Sequence, residues 1–192
     1  MKWRIIVGLL IFVMGSACDP YQKGMDMIER GEYEEAADYF YQQSIKHPDD
    51  SRVFNQLGYC YSKLKLNDQA AREYAKAVKL NPDYFQARLN LGTALLMRFE
   101  ITGAQRHLEK ALELNPKSEA AHVSLAWMHY HILEFDKARE HINKAIELSG
   151  GKRSYADVIK AIEEREERFG DLGKKVEATG NESRDESEDK PK

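Results

Sequence analysis

The chain has 192 residues, of which 42% are hydrophobic and 32% are charged, and its formal net charge is −3 at pH 7. This composition excludes a wholly disordered chain and a protein with many membrane spans. The negative charge excludes bulk attraction to nucleic acid as the main activity. Two cysteines, Cys18 and Cys60, are too few for a disulfide framework or a cysteine-rich zinc site.

Residues 1–17 have the layout of a secretory signal. Two basic residues precede an apolar stretch over residues 5–14, and the small residues at 15–17 lie directly before Cys18. The apolar stretch is shorter than the ~20 residues that a membrane-spanning helix needs. The pattern predicts cleavage of the chain immediately before Cys18.

Small residues followed at once by Cys18 resemble the lipobox of bacterial lipoproteins, in which the cysteine is acylated and becomes the new N-terminus. The resemblance implies a protein anchored by lipid in a bacterial cell envelope, on its periplasmic or outer-surface side. Ordinary secretion after cleavage at the same bond, and an uncleaved anchor, are the alternatives. Cleavage would leave 27 basic and 32 acidic side chains, so membrane attachment would depend on the acyl chains rather than on charge.

The body of the chain repeats with one constant period. Five columns of small or apolar residues share this spacing: Pro48, Pro82 and Pro116; Ala36, Ala70, Ala104 and Ala138; Gly24, Gly58, Gly92 and Ala126; Leu57, Leu91 and Leu125; Ala77, Ala111 and Ala145. Such a fixed period indicates stacked copies of one structural unit.

Each repeat carries two helical stripes of apolar residues. Proline near the end of a repeat stops its second helix, because proline lacks an N–H and disfavours helix in the residue before it. No segment alternates with the period of a strand, so no sheet is predicted. The predicted helix pairs are about 20–30 and 33–46, 51–64 and 67–80, 85–98 and 101–114, and 119–132 and 135–148.

The repeat resembles the tetratricopeptide repeat (TPR), a helix–turn–helix unit of about 34 residues. In the second unit the matching residues are Gly58, Tyr61, Ala70, Tyr74, Ala77 and Pro82. The resemblance covers about residues 17–150. It implies an all-α fold, an α–α superhelix (a TPR solenoid) of about four helix–turn–helix repeats.

A further helix is predicted over residues 153–169, with an apolar stripe and an opposite face rich in Glu and Arg. The stripe consists of Tyr155, Val158, Ile159, Ile162 and Phe169. This helix would cap the exposed apolar side of the last repeat. Residues 170–192 contain 12 charged side chains and are predicted to be a solvated, disordered tail, with an acidic interaction arm as the alternative.

The predicted organisation follows from these segments. It consists of a lipoprotein-type signal peptide at 1–17, a degenerate first TPR at 18–50, further TPRs at 51–84, 85–118 and 119–152, a capping helix at 153–169 and a charged tail at 170–192.

The sequence shows no catalytic motif. It has no glycine-rich phosphate loop, metalloprotease motif or nucleophile elbow. His129 and His131 are two apart on a helix and point to different sides, whereas His107 and His141 of adjacent repeats would be about 10 Å apart. Cys60 is predicted to be a buried, unreactive thiol. We therefore predict no enzyme, cofactor, metal site, nucleic-acid partner or small-molecule substrate.

In TPR proteins the first helices of the repeats line a concave groove that holds a peptide or a helix of a partner protein. The matching positions imply a groove composed of Arg52, Asn55, Tyr59, Lys63, Leu89, Thr93, Met97, Val123, Trp127, Tyr130 and His131. Trp and Tyr are typical anchors of protein interfaces. The alternative is that Trp127 and Tyr130 pack against a neighbouring helix or the cap.

The sequence thus predicts a non-catalytic scaffold for protein–protein interaction, attached to the membrane of a bacterial envelope. An alternative is a structural assembly factor, similar to the TPR lipoproteins that help to build type IV pili or secretion systems. A third hypothesis is a regulator of an enzyme made elsewhere in the genome.

Overall fold

The computed structural model describes residues 20–150 and 155–170, and within these ranges it contains nine α-helices and no strand. The helices are α1 (Pro20–Glu29), α2 (Tyr33–Lys46), α3 (Ser51–Lys63), α4 (Asn67–Leu80), α5 (Phe85–Met97), α6 (Ile101–Leu114), α7 (Glu119–His131), α8 (Phe135–Ser149) and α9 (156–170). The predicted all-α fold of helix–turn–helix repeats is confirmed, and the bounds of α1–α8 agree with those predicted to within one residue. The predicted signal, Cys18 and residues 171–192 lie outside the described residues.

The chain divides into two compact units between His107 and Leu108, inside α6. The first unit contains α1–α5 and the start of α6, and the second contains the rest of α6 and α7–α9. Among the described residues, no helix has both the length and the apolarity to cross a membrane.

The turn inside each repeat has the same backbone conformation in all four copies. Gly31, Lys65, Phe99 and Leu133 follow one another at the repeat period and have φ between 59° and 77°. The next residue in each turn donates its N–H to a carbonyl five residues back, as from Leu66 to Tyr61 at 2.9 Å. This is the Schellman ending, for which glycine is favoured. Phe99 adopts it although bulky side chains are disfavoured there.

In the first unit a missing side chain lets α3 approach α4. A Cβ atom on Gly58 would lie 2.8 Å from the Tyr74 ring, and one on Gly24 would clash with the Phe40 ring. The neighbouring thiol of Cys60 is fully buried, and burial raises its pKa to about 12. The predicted buried thiol is therefore confirmed, and it is not a nucleophile at neutral pH.

In the second unit α9 covers the apolar side of α7 and α8. Ile162 is fully buried against Ala126, Ala138 and Ile142. At the margin Arg139 forms an ion pair with Glu166. The helix is described from residue 156. The Phe169 side chain near its end is 40% exposed, so this last residue of the predicted apolar stripe is not part of the core.

Candidate peptide-binding surfaces

The first unit presents seven of the predicted groove residues on α3 and α5, and the structure separates them by burial. Asn55 is 2% exposed and Leu89 is 6% exposed, so both belong to the interior of the unit. Tyr59 and Thr93 are half-buried, and Lys63 and Met97 are exposed. Fewer residues are therefore accessible to a partner than the predicted groove contains.

A chain of amide side chains crosses from α5 to α3. Gln86 Nε2 donates to Asn90 Oδ1 at 2.9 Å, and Asn90 Nδ2 donates to Asn55 Oδ1 at 3.0 Å. The buried Asn55 thereby fixes the half-buried Asn90 at the surface. Asn90 is absent from the predicted groove, although its spacing of four residues from Gln86 on one helix face is a signal that could have identified it.

The ring of Tyr59 is held in place by two neighbours. It packs edge-on against the Tyr33 ring, with 6.4 Å between centroids, and Lys63 Nζ lies 5.2 Å from its centre. Both contacts orient the ring without burying it completely. Tyr59 therefore offers a partly exposed aromatic surface beside a cation.

Arg52 has a structural role at the start of α3. Its guanidinium pairs with the carboxylate of Asp50 at 2.7 Å, and the same carboxylate accepts the Arg52 backbone N–H at 2.9 Å. These hydrogen bonds lower the pKa of the Asp50 carboxyl group. Arg52 thus stabilises a helix N-terminus in addition to contacting the Tyr21 ring.

Thr93 and Met97 differ in what they offer to a partner. The Thr93 hydroxyl donates to the Leu89 carbonyl within α5 at 2.9 Å. Met97 at the end of the same helix is 63% exposed, and Phe99 in the following turn is 71% exposed. The end of α5 therefore presents apolar surface to solvent.

The second unit presents the other four predicted residues on α7. Val123 packs into the core that α9 covers. The Trp127 ring lies edge-on to Tyr130, with 5.3 Å between centroids, and 6.4 Å from His131. Trp127, Tyr130 and His131 are all half-buried. They form one aromatic cluster on the surface of α7.

The cap contributes to this aromatic cluster, in line with the alternative considered for Tyr130. The Arg165 guanidinium of α9 lies 4.6 Å from the Tyr130 ring centre, which is a cation–π contact. Burial and the charge of Arg165 lower the pKa of His131. Trp127, by contrast, makes its ring contacts with Tyr130 and His131 of its own helix.

Two histidines that sequence reasoning did not pair lie together between α7 and α8. His122 Nδ1 is 3.0 Å from His141 Nδ1. Arg88 and His107, the equivalent residues one repeat earlier, also meet, with 3.2 Å between Arg88 Nη1 and His107 Nδ1. The two residues of each pair are separated by the same number of positions along the chain. This shared spacing could have indicated both pairings from the sequence. Within the described residues, no group of three His, Cys, Asp or Glu is arranged to hold a metal ion.

Comparison with known proteins identifies the repeats. Profiles of the tetratricopeptide repeat match residues 51–84 and residues 100–152. Together with the helix pairs and the regularly spaced turns, these matches identify tetratricopeptide repeats within an all-α chain of helix–turn–helix units. The search of curated proteins gave no significant match.

Several solved structures of MamA have a similar fold. MamA 41-end from Desulfovibrio magneticus RS-1 has 21% identity and a TM-score of 0.69, over 89% of this chain and 96% of that chain. A crystal structure of MamA protein has 22% identity and a TM-score of 0.65, over 88% and 93%. MamA MSR-1 C2 has 24% identity and a TM-score of 0.60, over 70% and 77%. At these identities the similarity concerns the fold alone.

Proposed function

We propose that the protein is a non-catalytic scaffold that binds an extended or helical segment of a partner protein through the first helices of its repeats. We also propose that a lipid on Cys18 tethers it to the membrane of a bacterial cell envelope. The repeat class supports the binding role, and the small-residue pattern before Cys18 supports the tether. Two or more acyl chains would be needed for stable attachment, since one chain binds only marginally.

The observation that carries the binding proposal is the aromatic cluster on α7. Trp127 is half-buried, and Tyr130 and His131 of the same helix contact its ring. Trp and Tyr are the side chains most often found as binding anchors. Because these rings are already held in one arrangement, little conformational entropy remains to be lost when a partner packs on them.

The first unit offers a surface of different chemistry. Asn90 is fixed by its hydrogen bonds to Gln86 and Asn55, and an amide group has both donors and an acceptor. It therefore suits the backbone N–H and C=O groups of an extended peptide. Tyr59 and Met97 supply apolar surface for the side chains of the same segment.

Site-specific photo-crosslinking in the native envelope tests this proposal. A benzophenone amino acid replaces Trp127 or Tyr59 in separate variants, and Tyr41 serves as the matched control because its side chain is 50% exposed on the second helix of a repeat. We expect one partner band to crosslink at 127 and at 59 but not at 41. Equal crosslinking at all three positions, or none at 59 and 127 in folded variants, would contradict binding through the first helices of the repeats.

A further inference from the structure

Arg165 of α9 is a half-buried cation that has no carboxylate partner among the described residues. Its Nε atom is shielded from solvent, and no described group accepts a hydrogen bond from it. The Cζ atom lies 4.6 Å from the centre of the Tyr130 ring and 5.7 Å from that of the Phe169 ring. A cation–π contact stabilises the charge but supplies no acceptor oxygen for the N–H donors, and a shielded donor without an acceptor costs free energy.

The sequence of α9 explains why Arg165 lacks an acidic partner in a helix rich in glutamate. Side chains meet on a helix when they are three or four positions apart. Around Arg165 those positions are occupied by Ala161, Ile162, Arg168 and Phe169. The adjacent glutamates form ion pairs with other residues, and the glutamates two positions away point to other sides of the helix. The ion pairs are those of Glu164 with Lys160 and of Glu166 with Arg139.

The helix α7, which α9 covers, does not neutralise Arg165 either. Its single acidic residue is Glu119 at the start of the helix, which accepts a hydrogen bond from the Tyr155 hydroxyl. Near the other end, burial and then the charge of Arg165 lower the pKa of His131. The positive charge of Arg165 therefore lies beside the aromatic cluster of α7 and keeps its effect there.

The Tyr130 ring links this charge to the proposed binding anchor. It contacts the Arg165 guanidinium and packs edge-on against Trp127, with 5.3 Å between the ring centroids. A bound segment with an apolar side chain on these rings brings the next side chain on the same side of the segment towards Arg165. A carboxylate in that place would make charge-assisted hydrogen bonds to the guanidinium, and partial shielding by the rings makes such a pair stronger than one in open solvent.

We propose that Arg165 determines the specificity of this surface by pairing with the side-chain carboxylate of an aspartate or glutamate in the bound segment. An apolar residue next to that acid packs on Trp127 and Tyr130. The inference rests on the proposed function and adds the chemistry of the partner, which is a segment with acidic and apolar residues on one side. Charge complementarity carries it, because the carboxylate supplies the acceptor that the guanidinium lacks within the described chain.

Titration of the full chain with two blocked peptides tests this assignment. The probe is acetyl-Ala-Leu-Glu-Leu-Ala-amide, its uncharged match has glutamine in place of glutamate, and neither has a terminal carboxylate. Two-dimensional ¹H–¹⁵N spectra follow the Nε–H signal of Arg165, assigned by its loss in Arg165→Lys, and the indole signal of Trp127. We expect both signals to shift and the glutamate peptide to bind about five- to tenfold more tightly, because hydrogen bonds between charged groups are the stronger ones.

Two matched variants separate the role of Arg165 from general charge. Arg165→Gln should abolish the preference for the glutamate peptide, whereas Arg168→Gln removes an exposed charge of the same helix and should keep it. Circular dichroism checks that both variants fold, and the spectra of the unmodified chain need no variant to show the preference. Equal binding of the two peptides to the unmodified chain, or a preference that persists in folded Arg165→Gln, would overturn the proposal.

A full-chain variant in which amides replace the acidic side chains of residues 171–192 tests the identity of the occupant. We expect it to bind the glutamate peptide as tightly as the unmodified chain does. Binding that is fivefold tighter or more would overturn the assignment to a partner, because acids of the chain itself would then occupy Arg165. Partner crosslinking at 127 without a preference for glutamate would reject only the role of Arg165, and the preference without crosslinking at 59 and 127 would contradict only the proposed function.

Discussion

At the scale of single residues, two glycines with the same low helix propensity have different roles. Gly58 lies where α3 meets α4, and an added Cβ would clash with the Tyr74 ring at 2.8 Å. Gly103 in the first turn of α6 has only Leu95 Cδ1 nearby, at 3.2 Å. The Tyr74 ring is buried and cannot move aside, whereas the Leu95 methyl group is the end of a flexible side chain.

We therefore expect Gly58→Ala to lower the free energy of unfolding by about 1–3 kcal/mol through overpacking. Gly103→Ala is the matched control, and we expect it to range from no effect to a gain of about 1 kcal/mol, because alanine is the better helix former. Urea unfolding followed by circular dichroism measures both. Equal effects of the two substitutions would show that the close approach at Gly58 is not what limits packing.

His107 makes stability depend on pH. Burial, with Arg106 and Arg88 nearby, lowers the pKa of its imidazole to about 4, whereas an unfolded histidine has a pKa of about 6.5. The unfolded state binds more protons between these values. The contribution of His107 is therefore complete above pH 6.5 and is lost as the pH falls towards 4.

The expected loss over this range is on the order of 2–3 kcal/mol. Urea unfolding at pH 7.5, 5.5 and 4.5 measures it, and His107→Gln should make the curve less steep. His122 and His141 act in the same direction, since burial lowers both pKa values, so a smaller slope should remain in the variant. A slope unchanged by His107→Gln would contradict the assignment.

At the scale of elements, α9 stabilises the second unit by burying one side chain in particular. Ile162 is fully buried against Ala126, Ala138 and Ile142. Arg139 and Glu166 pair at the margin, but both side chains are partly exposed, so their ion pair contributes little. Apolar burial is therefore the main source of the attachment of α9.

Ile162→Ala should cost about 3 kcal/mol, because it removes buried methyl groups and leaves a cavity. The exposed Lys160→Ala on the same helix is the control and should have little effect. Hydrogen exchange should become faster in α7, α8 and α9 of the Ile162 variant. Protection unchanged from the wild type would mean that the second unit does not depend on α9.

At the scale of the whole molecule, the proposed tether on Cys18 would decide where the scaffold works. If Cys18 is acylated, the intact mass of the mature protein is that of residues 18–192 plus the lipid. We expect Cys18→Ser to abolish the added mass and the membrane fraction together. An unmodified mass beginning at Cys18 would indicate ordinary secretion, and retention of residues 1–17 would indicate an uncleaved anchor.

The repeat period by itself determined the helices and the fold class. Evenly spaced columns, such as Ala36, Ala70, Ala104 and Ala138, report local patterns that recur along the chain. Such patterns depend on which face of each helix is apolar, and this information is contained in neighbouring residues. The bounds of α1–α8 therefore agree with the structure to within one residue.

Tertiary structure alone decided which residues of each helix remain accessible to a binding partner. Asn55 and Leu89 occupy groove columns but are buried, whereas Asn90 reaches the surface because Asn55 and Gln86 hold it there. The contact between His122 and His141 likewise depends on how α7 and α8 pack against each other. Burial and hydrogen bonding depend on side chains from other helices, which no pattern within one helix specifies.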